Sequence, residues 1–294
     1  MDEIQKRESA VFFVDLLGMG ALTEGYIELT NCDRCWFENN DVPFNNQYLA
    51  AKILTVFRSL LNEVRRNYQN ITIAQLSDGA FIWSQDVIKI IKFVFEFMQK
   101  AILKGIFCRG GLSFGEIIET GNSHKLGRLI VGEAVTNAVH LESIAKGSRV
   151  MIDDGFIKAE RNINGEKGFQ IFNKLWNPLN NESYDELLWY IVPYTMISGN
   201  EVRLLSDKQK RASTLNRLQL ANEVQSSPFF NWNASSVQGK VHINSTVRFL
   251  SQNTLLDFDH SCEWQSGIGN RSFSKRDEIS RMLNDGCFYR LNTP

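Results

Sequence analysis

The pattern of apolar positions predicts an alternation of strands and helices along the N-terminal part of the chain. Apolar residues recur at helical spacing over 48–68 and again over 87–102, which predicts two amphipathic helices. The turn residues Ser77-Asp78-Gly79 separate two short β-rich runs, and this arrangement is typical of a hairpin. The predicted strands are 10–14, 71–76, 80–83, 106–118, 149–152, 169–175 and 187–191.

The predicted elements up to residue 118 follow the order strand, helix, strand, strand, helix, strand, and a third helix is predicted over 132–145. This is the ferredoxin-like βαββαβ arrangement, so we predict an α+β fold built on a palm of this type. The character of the sequence changes after about residue 194, where helices are predicted over 200–224 and 240–250. We therefore predict two units, a catalytic domain at 1–193 and a mostly helical C-terminal appendage at 194–294 whose role the sequence does not indicate.

Composition narrows the function classes. The chain has 294 residues, 43% of them hydrophobic, and a formal net charge of −1, with no long basic run that would predict nucleic-acid binding. The apolar stretch 87–107 carries five charged residues, so it predicts an amphipathic helix and no membrane span. Residues 1–10 lack the apolar core of a secretory signal. The five cysteines are scattered, with one CxxC at Cys32 and Cys35, which predicts reduced thiols in a cytoplasmic protein.

Two carboxylates stand at positions suited to metal chemistry. Asp15 ends the first predicted strand and is followed by a turn containing Gly18, while Asp78 lies at the tip of the hairpin. Each has an ordinary explanation as a turn-forming residue. In a βαββ unit, however, the first strand and the hairpin are neighbours, so both side chains could share divalent cations bound to a triphosphate.

Four segments resemble motifs of the class III adenylate and guanylate cyclases, in the order that the family has them. Phe13–Met19 resembles F-x-D-[ILV]-x-G-[FM], and Leu76–Ala80 is similar to the G-D-x-x-x-A hairpin, with Ser77 in place of the usual glycine. Cys108–Gly115 resembles the R-x-G-[IV]-x-x-G strand, and Val131–Glu142 resembles the G-x-x-V-N-x-A-x-R-[LM]-E helix.

The resemblance implies a two-metal mechanism. Asp15, Asp78 and the Leu16 carbonyl would hold two Mg²⁺ or Mn²⁺ ions, one of which lowers the pKa of the ribose 3′-hydroxyl that attacks the α-phosphorus. The second ion, the turn amides of Leu17 and Gly18, and Arg109 would stabilise the triphosphate and the departing pyrophosphate. The resemblance also implies a head-to-tail homodimer with its sites at the interface.

The chain departs from the family at both catalytic and base-reading positions. Thr136 and His140 stand where the family has its transition-state Asn and Arg; they either donate hydrogen bonds to phosphate or simply pack. The two purine-reading positions are occupied by Ala74 and Leu129. Tyr48 is a candidate base contact or a helix-start aromatic that covers the core. Arg128 is a candidate base or phosphate contact or the partner in a surface salt bridge.

Because it lacks the polar side chains that read a purine, this chain resembles the pyrimidine cyclases of bacterial Pycsar antiphage defence. The predicted reaction is conversion of UTP to 3′,5′-cyclic UMP and pyrophosphate, with CTP as the alternative substrate. The cyclic nucleotide would activate a separate effector in abortive infection. A catalytically degenerate nucleotide-binding module remains an alternative, because the usual Asn and Arg are replaced. A diguanylate cyclase is disfavoured because residues 76–81 do not match G-G-[DE]-E-F.

Overall fold

The computed structural model describes residues 4–37, 42–121, 128–144, 146–165, 171–177, 182–197 and 207–251. In these residues an eight-stranded sheet is surrounded by helices. The elements are, in chain order, β1 (Ile4–Leu16), α1 (Met19–Thr23), α2 (Asn31–Phe37), α3 (Asn46–Arg65), β2 (Thr72–Leu76), β3 (Gly79–Ser84), α4 (Val87–Leu103), β4 (Cys108–Thr120), β5 (Ile130–Val131), α5 (Glu133–Ile144), β6 (Val150–Ile152), α6 (Asp154–Asn164), β7 (Phe172–Asn177), β8 (Glu182–Leu187), α7 (Asp207–Ser226), α8 (Asn231–Ala234) and α9 (Val237–Ser251).

The sheet confirms the predicted ferredoxin-like order. Its strands run β2-β3-β1-β4-β6-β8-β7, with β5 paired to β4. The first four of these strands are antiparallel neighbours, and β6 then joins β4 in parallel after α5 crosses one face. The α+β fold class and the helical nature of the described appendage (207–251) are therefore confirmed. The proposed division at residue 193 stays a prediction.

Alternate residues of β1 pack on opposite faces of the sheet, as the period of a strand requires. Phe12 and Val14 join the large core beneath α3 and α4. Val11 and Phe13 face the other way, into a smaller cluster that includes Ala134 and Ala138 of α5. Asp15 continues the second series, so its side chain belongs to the face that α5 partly covers.

One predicted strand is wrong, and several elements, among them the strand β8, were not predicted. The run 187–191 was expected to be a strand, but β8 ends at Leu187, and residues 188–192 form a buried turn. The side chain of Gln99 donates to the carbonyl oxygens of Trp189 and Val192, both at 2.8 Å, so this apolar run has hydrogen-bond partners outside a sheet. The helix α6 was not predicted at all. Residues 145, 169–170 and 200–206, which fall in predicted elements, and residues 252–294 of the appendage lie outside the described residues.

The helix α5 lies unusually close to β4. A Cβ atom at Gly111 would stand 2.0 Å from the Ala138 carbonyl oxygen and 2.8 Å from the Glu142 backbone nitrogen. Since both neighbours are main-chain atoms, no side-chain rotation could make room. Gly111 therefore sets the distance between helix and strand.

We expect Gly111→Ala to destabilise the protein by about 3 kcal/mol, because α5 must move away from β4. Gly115→Ala on the same strand is the matched control, since its Cβ would meet only Ala134 Cβ, at 3.8 Å. Urea unfolding of both variants measures the difference. Equal stability of the two would contradict the close approach.

The appendage docks on the sheet domain through buried polar contacts. The Gly147 amide donates to Nδ1 of His242 at 2.9 Å, and the Ser148 amide donates to Oγ1 of Thr246 at 2.8 Å. Burial, reinforced by the charges of Arg109 and Lys146, lowers the pKa of His242 from its ordinary 6.5 to about 4. The imidazole is therefore neutral at pH 7, as its role as an acceptor requires.

This docking should weaken in acid. Because the folded-state pKa of His242 lies below the unfolded value, its contribution is complete above pH 6.5 and is lost as the pH falls towards 4. Between pH 7.5 and pH 5 we expect it to cost the wild type roughly 2 kcal/mol of unfolding free energy. His242→Asn keeps an acceptor without titrating, so the comparison isolates this group. Identical pH dependence of the two proteins would contradict the assignment.

Within the part of the chain that the structure describes, we find no helix of the length and apolarity that crossing a membrane would require.

Candidate active site

The structure places the two predicted metal carboxylates beside each other at one end of the sheet. Asp15 is the penultimate residue of β1, where it is paired with Gly79 of β3 on one side and Arg109 of β4 on the other. Asp78 immediately precedes Gly79, and its carbonyl oxygen accepts from the Leu16 amide at 3.2 Å. The backbone thus fixes both carboxylates and Arg109 relative to one another.

The hairpin that carries Asp78 turns differently from the prediction. Only Ser77 and Asp78 lie between the strands, and Gly79 already belongs to β3. Ser77 has φ 56°, the left-handed region that favours glycine, and Nε2 of the Gln75 side chain donates to the Ser77 carbonyl oxygen at 3.0 Å. Ser77 therefore occupies a turn conformation that glycine usually adopts.

The electrostatic environment of Asp15 disfavours its ionised form. Burial first, and then the neighbouring carboxylates of Glu142 and Asp78, raise the pKa of Asp15 from 3.8 to about 7, while Arg109 acts in the opposite direction. Asp15 therefore lies close to two other carboxylates and one guanidinium. Such an excess of negative charge in a half-buried site is what a bound cation would relieve.

Arg109 forms an ion pair with a carboxylate of α5. Its Nε donates to Oε1 of Glu142, a buried residue of α5, and burial raises the pKa of that carboxyl although Arg109 counteracts the effect. Glu142 was missed as a site residue, although it closes the helix motif. Its place two positions after His140, at the end of a family motif, was the available signal.

The donor set fits divalent cations of the hard type. Oxygen ligands would come from Asp15, Asp78 and the nearby main chain, and Mg²⁺ is commonly held by one or two carboxylates with substrate phosphates completing the shell. Among the described residues, no group of three or more His, Cys, Asp or Glu side chains forms a metal site. Carbonyl and phosphate oxygens would therefore have to contribute.

The turn after Asp15 is held on both sides of Leu17. The Leu17 amide donates to the Phe107 carbonyl oxygen at 2.7 Å, so this amide already has an acceptor within the chain. The Leu17 carbonyl oxygen accepts from Nδ2 of Asn233 at 3.0 Å. Gly18 follows with φ 89°. Of the two turn amides predicted to meet phosphate, that of Leu17 is thus engaged by the protein itself.

Thr136 and His140 lie one turn apart on the exposed side of α5. The Thr136 hydroxyl donates to the Gly132 carbonyl oxygen at 3.2 Å, and the His140 side chain is open to solvent. Neither residue is buried in this chain, so neither packs in its core. Both are placed where a second molecule could approach them.

The two candidate base-reading positions, Ala74 and Leu129, lie in segments that contact each other. Ala74 lies on β2, and Arg128, adjacent to Leu129, donates from Nη1 to the Thr72 hydroxyl of the same strand at 3.3 Å. Leu129 is 59% exposed. Arg128 also forms an ion pair with Glu119 at 3.1 Å, so it has a salt-bridge partner, but that carboxylate is buried and does not lie on the surface as expected.

Tyr48 lies elsewhere. It belongs to the first turn of α3, on the opposite face of the sheet from Ala74 and α5. Its ring packs edge-on against Phe44, with 6.1 Å between centroids, and Lys52 Nζ lies 5.3 Å from its centroid. Within one chain the structure does not bring Tyr48 to the two base-reading positions.

No protein-family model matches the chain, and no curated protein matches it. Among solved structures, the chain is similar to the guanylyl cyclase Cya2, with a TM-score of 0.44 and 15% identity over 64% of this chain and 93% of that one. It is also similar to the guanylyl cyclase domain of the RhoGC fusion protein from the aquatic fungus Blastocladiella emersonii, with a TM-score of 0.42 and 15% identity over 64% and 98% of the two chains. A third similar structure is the adenylyl cyclase CyaB from P. aeruginosa, with a TM-score of 0.40 and 16% identity over 63% and 95%.

Proposed function

We propose that this chain is a nucleotide cyclase that converts UTP to 3′,5′-cyclic UMP and pyrophosphate, with CTP as the alternative substrate. The observation that carries the proposal is the juxtaposition of Asp15 and Asp78 beside Arg109 at the end of three adjacent strands. Two carboxylates and one guanidinium in a rigid frame suit a magnesium or manganese triphosphate.

The reaction needs an alignment of the nucleotide and neutralisation of its charge. The ribose 3′-oxygen attacks the α-phosphorus, its proton leaves to solvent, and the bond to the β-phosphate oxygen breaks to release pyrophosphate. When bound, two divalent ions would supply Lewis-acid activation of the 3′-hydroxyl and charge neutralisation of the pyrophosphate. Asp15, Asp78 and the Leu16 carbonyl would hold them.

The remaining residues orient the substrate. Arg109 is aimed by its ion pair with Glu142, which restricts the guanidinium to one region of the site. The Gly18 amide at the start of α1 is a candidate contact for phosphate oxygens. Each of these groups is fixed before substrate arrives, so little reorganisation is needed at the moment of reaction.

Selectivity for a pyrimidine is supported by what is missing from the base-reading positions. Ala74 and Leu129 offer no side-chain hydrogen bonds to the polar edge of a purine, and leaving such groups unpaired costs about 1–3 kcal/mol each. The smaller pyrimidine would find its partners elsewhere, for example at Thr72, Arg128 or backbone groups. Tyr48 could serve only from the second subunit or after rearrangement.

We also propose that the working unit is a homodimer. Thr136 and His140 project from the exposed side of α5, and a second subunit placed head to tail could receive them in its own site. In the cell, the cyclic nucleotide would act in the cytoplasm on a separate effector in antiphage defence, which rests on the resemblance to the Pycsar cyclases.

The second candidate function is a nucleotide-binding module without turnover. The replacement of the family's Asn and Arg by Thr136 and His140 favours it. The intact set of Asp15, Asp78 and Arg109 favours catalysis.

Competition among equal concentrations of ATP, GTP, UTP and CTP with Mn²⁺ tests the proposal. Products are identified by mass spectrometry, and cyclic UMP or cyclic CMP is expected to exceed the purine products by about tenfold or more. Mainly cyclic AMP or cyclic GMP would contradict the pyrimidine assignment and leave the cyclase assignment standing. Nucleotide binding without any cyclic product would support the binding module instead.

A further inference from the structure

The turn that follows Asp15 is held in place by a residue of the C-terminal appendage. Its two amides, of Leu16 and Leu17, donate to Asp78 and Phe107 within the sheet domain. The Leu17 carbonyl oxygen accepts instead from Asn233 Nδ2 at 3.0 Å, a buried contact between residues 216 positions apart. The turn that carries the candidate metal ligands is therefore closed by α8.

The fit between this turn and α8 is tight. A Cβ atom at Gly18 would stand 2.8 Å from Asn233 Oδ1 and 3.2 Å from the Trp232 ring. The glycine of the catalytic motif is thus required twice, once by its φ of 89° and once by the neighbouring appendage. A substitution on either side of this contact would displace the other.

The orientation of the Asn233 amide is constrained. Asn233 has no exposed surface, and its Oδ1 lacks a hydrogen-bond partner among the described residues. Reversing the amide would place Oδ1 against the Leu17 carbonyl oxygen, which is also an acceptor. An apolar residue of similar shape would avoid burying an unpaired oxygen. The contribution that only the asparagine makes is therefore the N–H group that donates to the Leu17 carbonyl oxygen.

The rest of the appendage fixes Asn233. A Cβ atom at Gly239 of α9 would stand 1.8 Å from the Asn233 carbonyl oxygen, so α8 and α9 are pressed together. The helix α9 is itself anchored by the bond from the Ser148 amide to Thr246, and the Ser148 hydroxyl donates to the Cys108 carbonyl oxygen at 2.7 Å. Cys108 directly precedes Arg109. The appendage therefore contacts the turn after β1 directly and is linked to the start of β4 through Ser148.

From these contacts we infer that Asn233 is a positioning residue for the metal-binding turn, and that the appendage segment 228–251 completes the active site. This inference rests on the proposed function, because it assigns Asn233 a role towards the metal site of Asp15, Asp78 and the Leu16 carbonyl. Asn233 acts through the Leu17 carbonyl and does not itself touch substrate or metal.

The test is Mn²⁺ binding to the full chain without nucleotide, followed by electron paramagnetic resonance. Asn233→Leu keeps the approximate shape of the side chain and removes the donor, and we expect it to weaken Mn²⁺ binding by about tenfold or more, as loss of an outer-shell support does. Asn222→Leu is the matched control, because Asn222 is also buried and lies in α7 of the same appendage. Its side chain accepts a hydrogen bond from Ser226, which lies four residues later on the same helix. We expect its Mn²⁺ affinity to stay within about twofold of wild type.

If Asn233 contributed only to general stability, Asn233→Leu and Asn222→Leu proteins of equal melting temperature would bind Mn²⁺ with equal affinity. If Asn233→Leu fails to fold, Gly18→Ala perturbs the same contact from the other side, and the same loss of Mn²⁺ affinity is expected. Unchanged affinity in Asn233→Leu, or in Gly18→Ala, while Asp15→Asn abolishes binding, would overturn the positioning role and leave the proposed function intact. Absence of Mn²⁺ binding in the wild type would instead overturn the metal site of the proposed function, and this inference with it.

Discussion

Asp15→Asn is expected to abolish cyclisation and, at the same time, to stabilise the protein in the absence of metal. The variant removes a proposed metal ligand, and we expect turnover to fall at least about 100-fold. It also removes a charge that the fold tolerates poorly, since burial and the carboxylates of Glu142 and Asp78 raise the pKa of Asp15 to about 7. A residue kept at the expense of stability is typical of a functional site.

The size of this stability gain depends on pH. Because the folded-state pKa of Asp15 lies above its ordinary value of 3.8, the ionised carboxylate disfavours the fold at pH 8 but imposes no such cost below about pH 4. Asp15→Asn should therefore raise the unfolding free energy at pH 8 by about 1 kcal/mol, after allowance for solvent screening of this half-buried group. The gain should vanish near pH 4.

Urea unfolding at both pH values, with metal removed by chelation, measures this difference. Asp86→Asn is the matched control, because Asp86 caps the start of α4 and asparagine caps a helix equally well. We expect Asp86→Asn to keep its activity. An Asp15→Asn protein that was both active and less stable than wild type at pH 8 would contradict the role given to this carboxylate.

Mixed dimers are expected to recover activity that neither parent has. If Asp78 acts in one subunit and His140 serves the site of the other, a heterodimer of Asp78→Asn and His140→Ala chains contains one site free of both changes. With random pairing, about one quarter of the wild-type activity should return. Co-expression with two different affinity tags ensures that the subunits mix.

The control combines two variants whose changed residues are contributed to a site by the same subunit. Co-expressed Asp15→Asn and Asp78→Asn chains should recover nothing, because both carboxylates of a site come from one chain. His140→Ala must be impaired by itself for the comparison to count. Recovery in the control, or none in the Asp78 and His140 pair, would argue that each site is built differently from the proposed dimer.

The fold and the proximity of the two candidate metal carboxylates could be predicted from sequence because local rules determine them. The period of two in β1, the helical spacing in α3 and α4, and the turn residues at 77–79 each act over a few residues, and together they specify which strands are neighbours. Once β1 and the hairpin are adjacent, the proximity of Asp15 and Asp78 follows from pairing alone.

What sequence did not reveal depends on contacts between distant segments. The apolar run 187–191 is predicted to be a strand, but β8 ends at Leu187, and Gln99, on a helix far earlier in the chain, donates to the carbonyl oxygens of Trp189 and Val192. Glu142 was assigned no role because its ion pair with Arg109 spans 33 residues. Asn233 gave no signal, since its partner, the Leu17 carbonyl, is a main-chain atom that no residue type identifies.

The most direct test of the account compares UTP with its 3′-deoxy analogue in the presence of Mn²⁺, with pyrophosphate release and product mass as the readouts. A cyclase needs the ribose 3′-hydroxyl as its nucleophile, whereas an enzyme that hydrolyses the triphosphate uses water. We predict cyclic UMP and equimolar pyrophosphate from UTP, and neither product from the 3′-deoxy analogue or from the Asp15→Asn protein. Equal pyrophosphate release from UTP and its 3′-deoxy analogue would contradict the assignment of this chain as a cyclase.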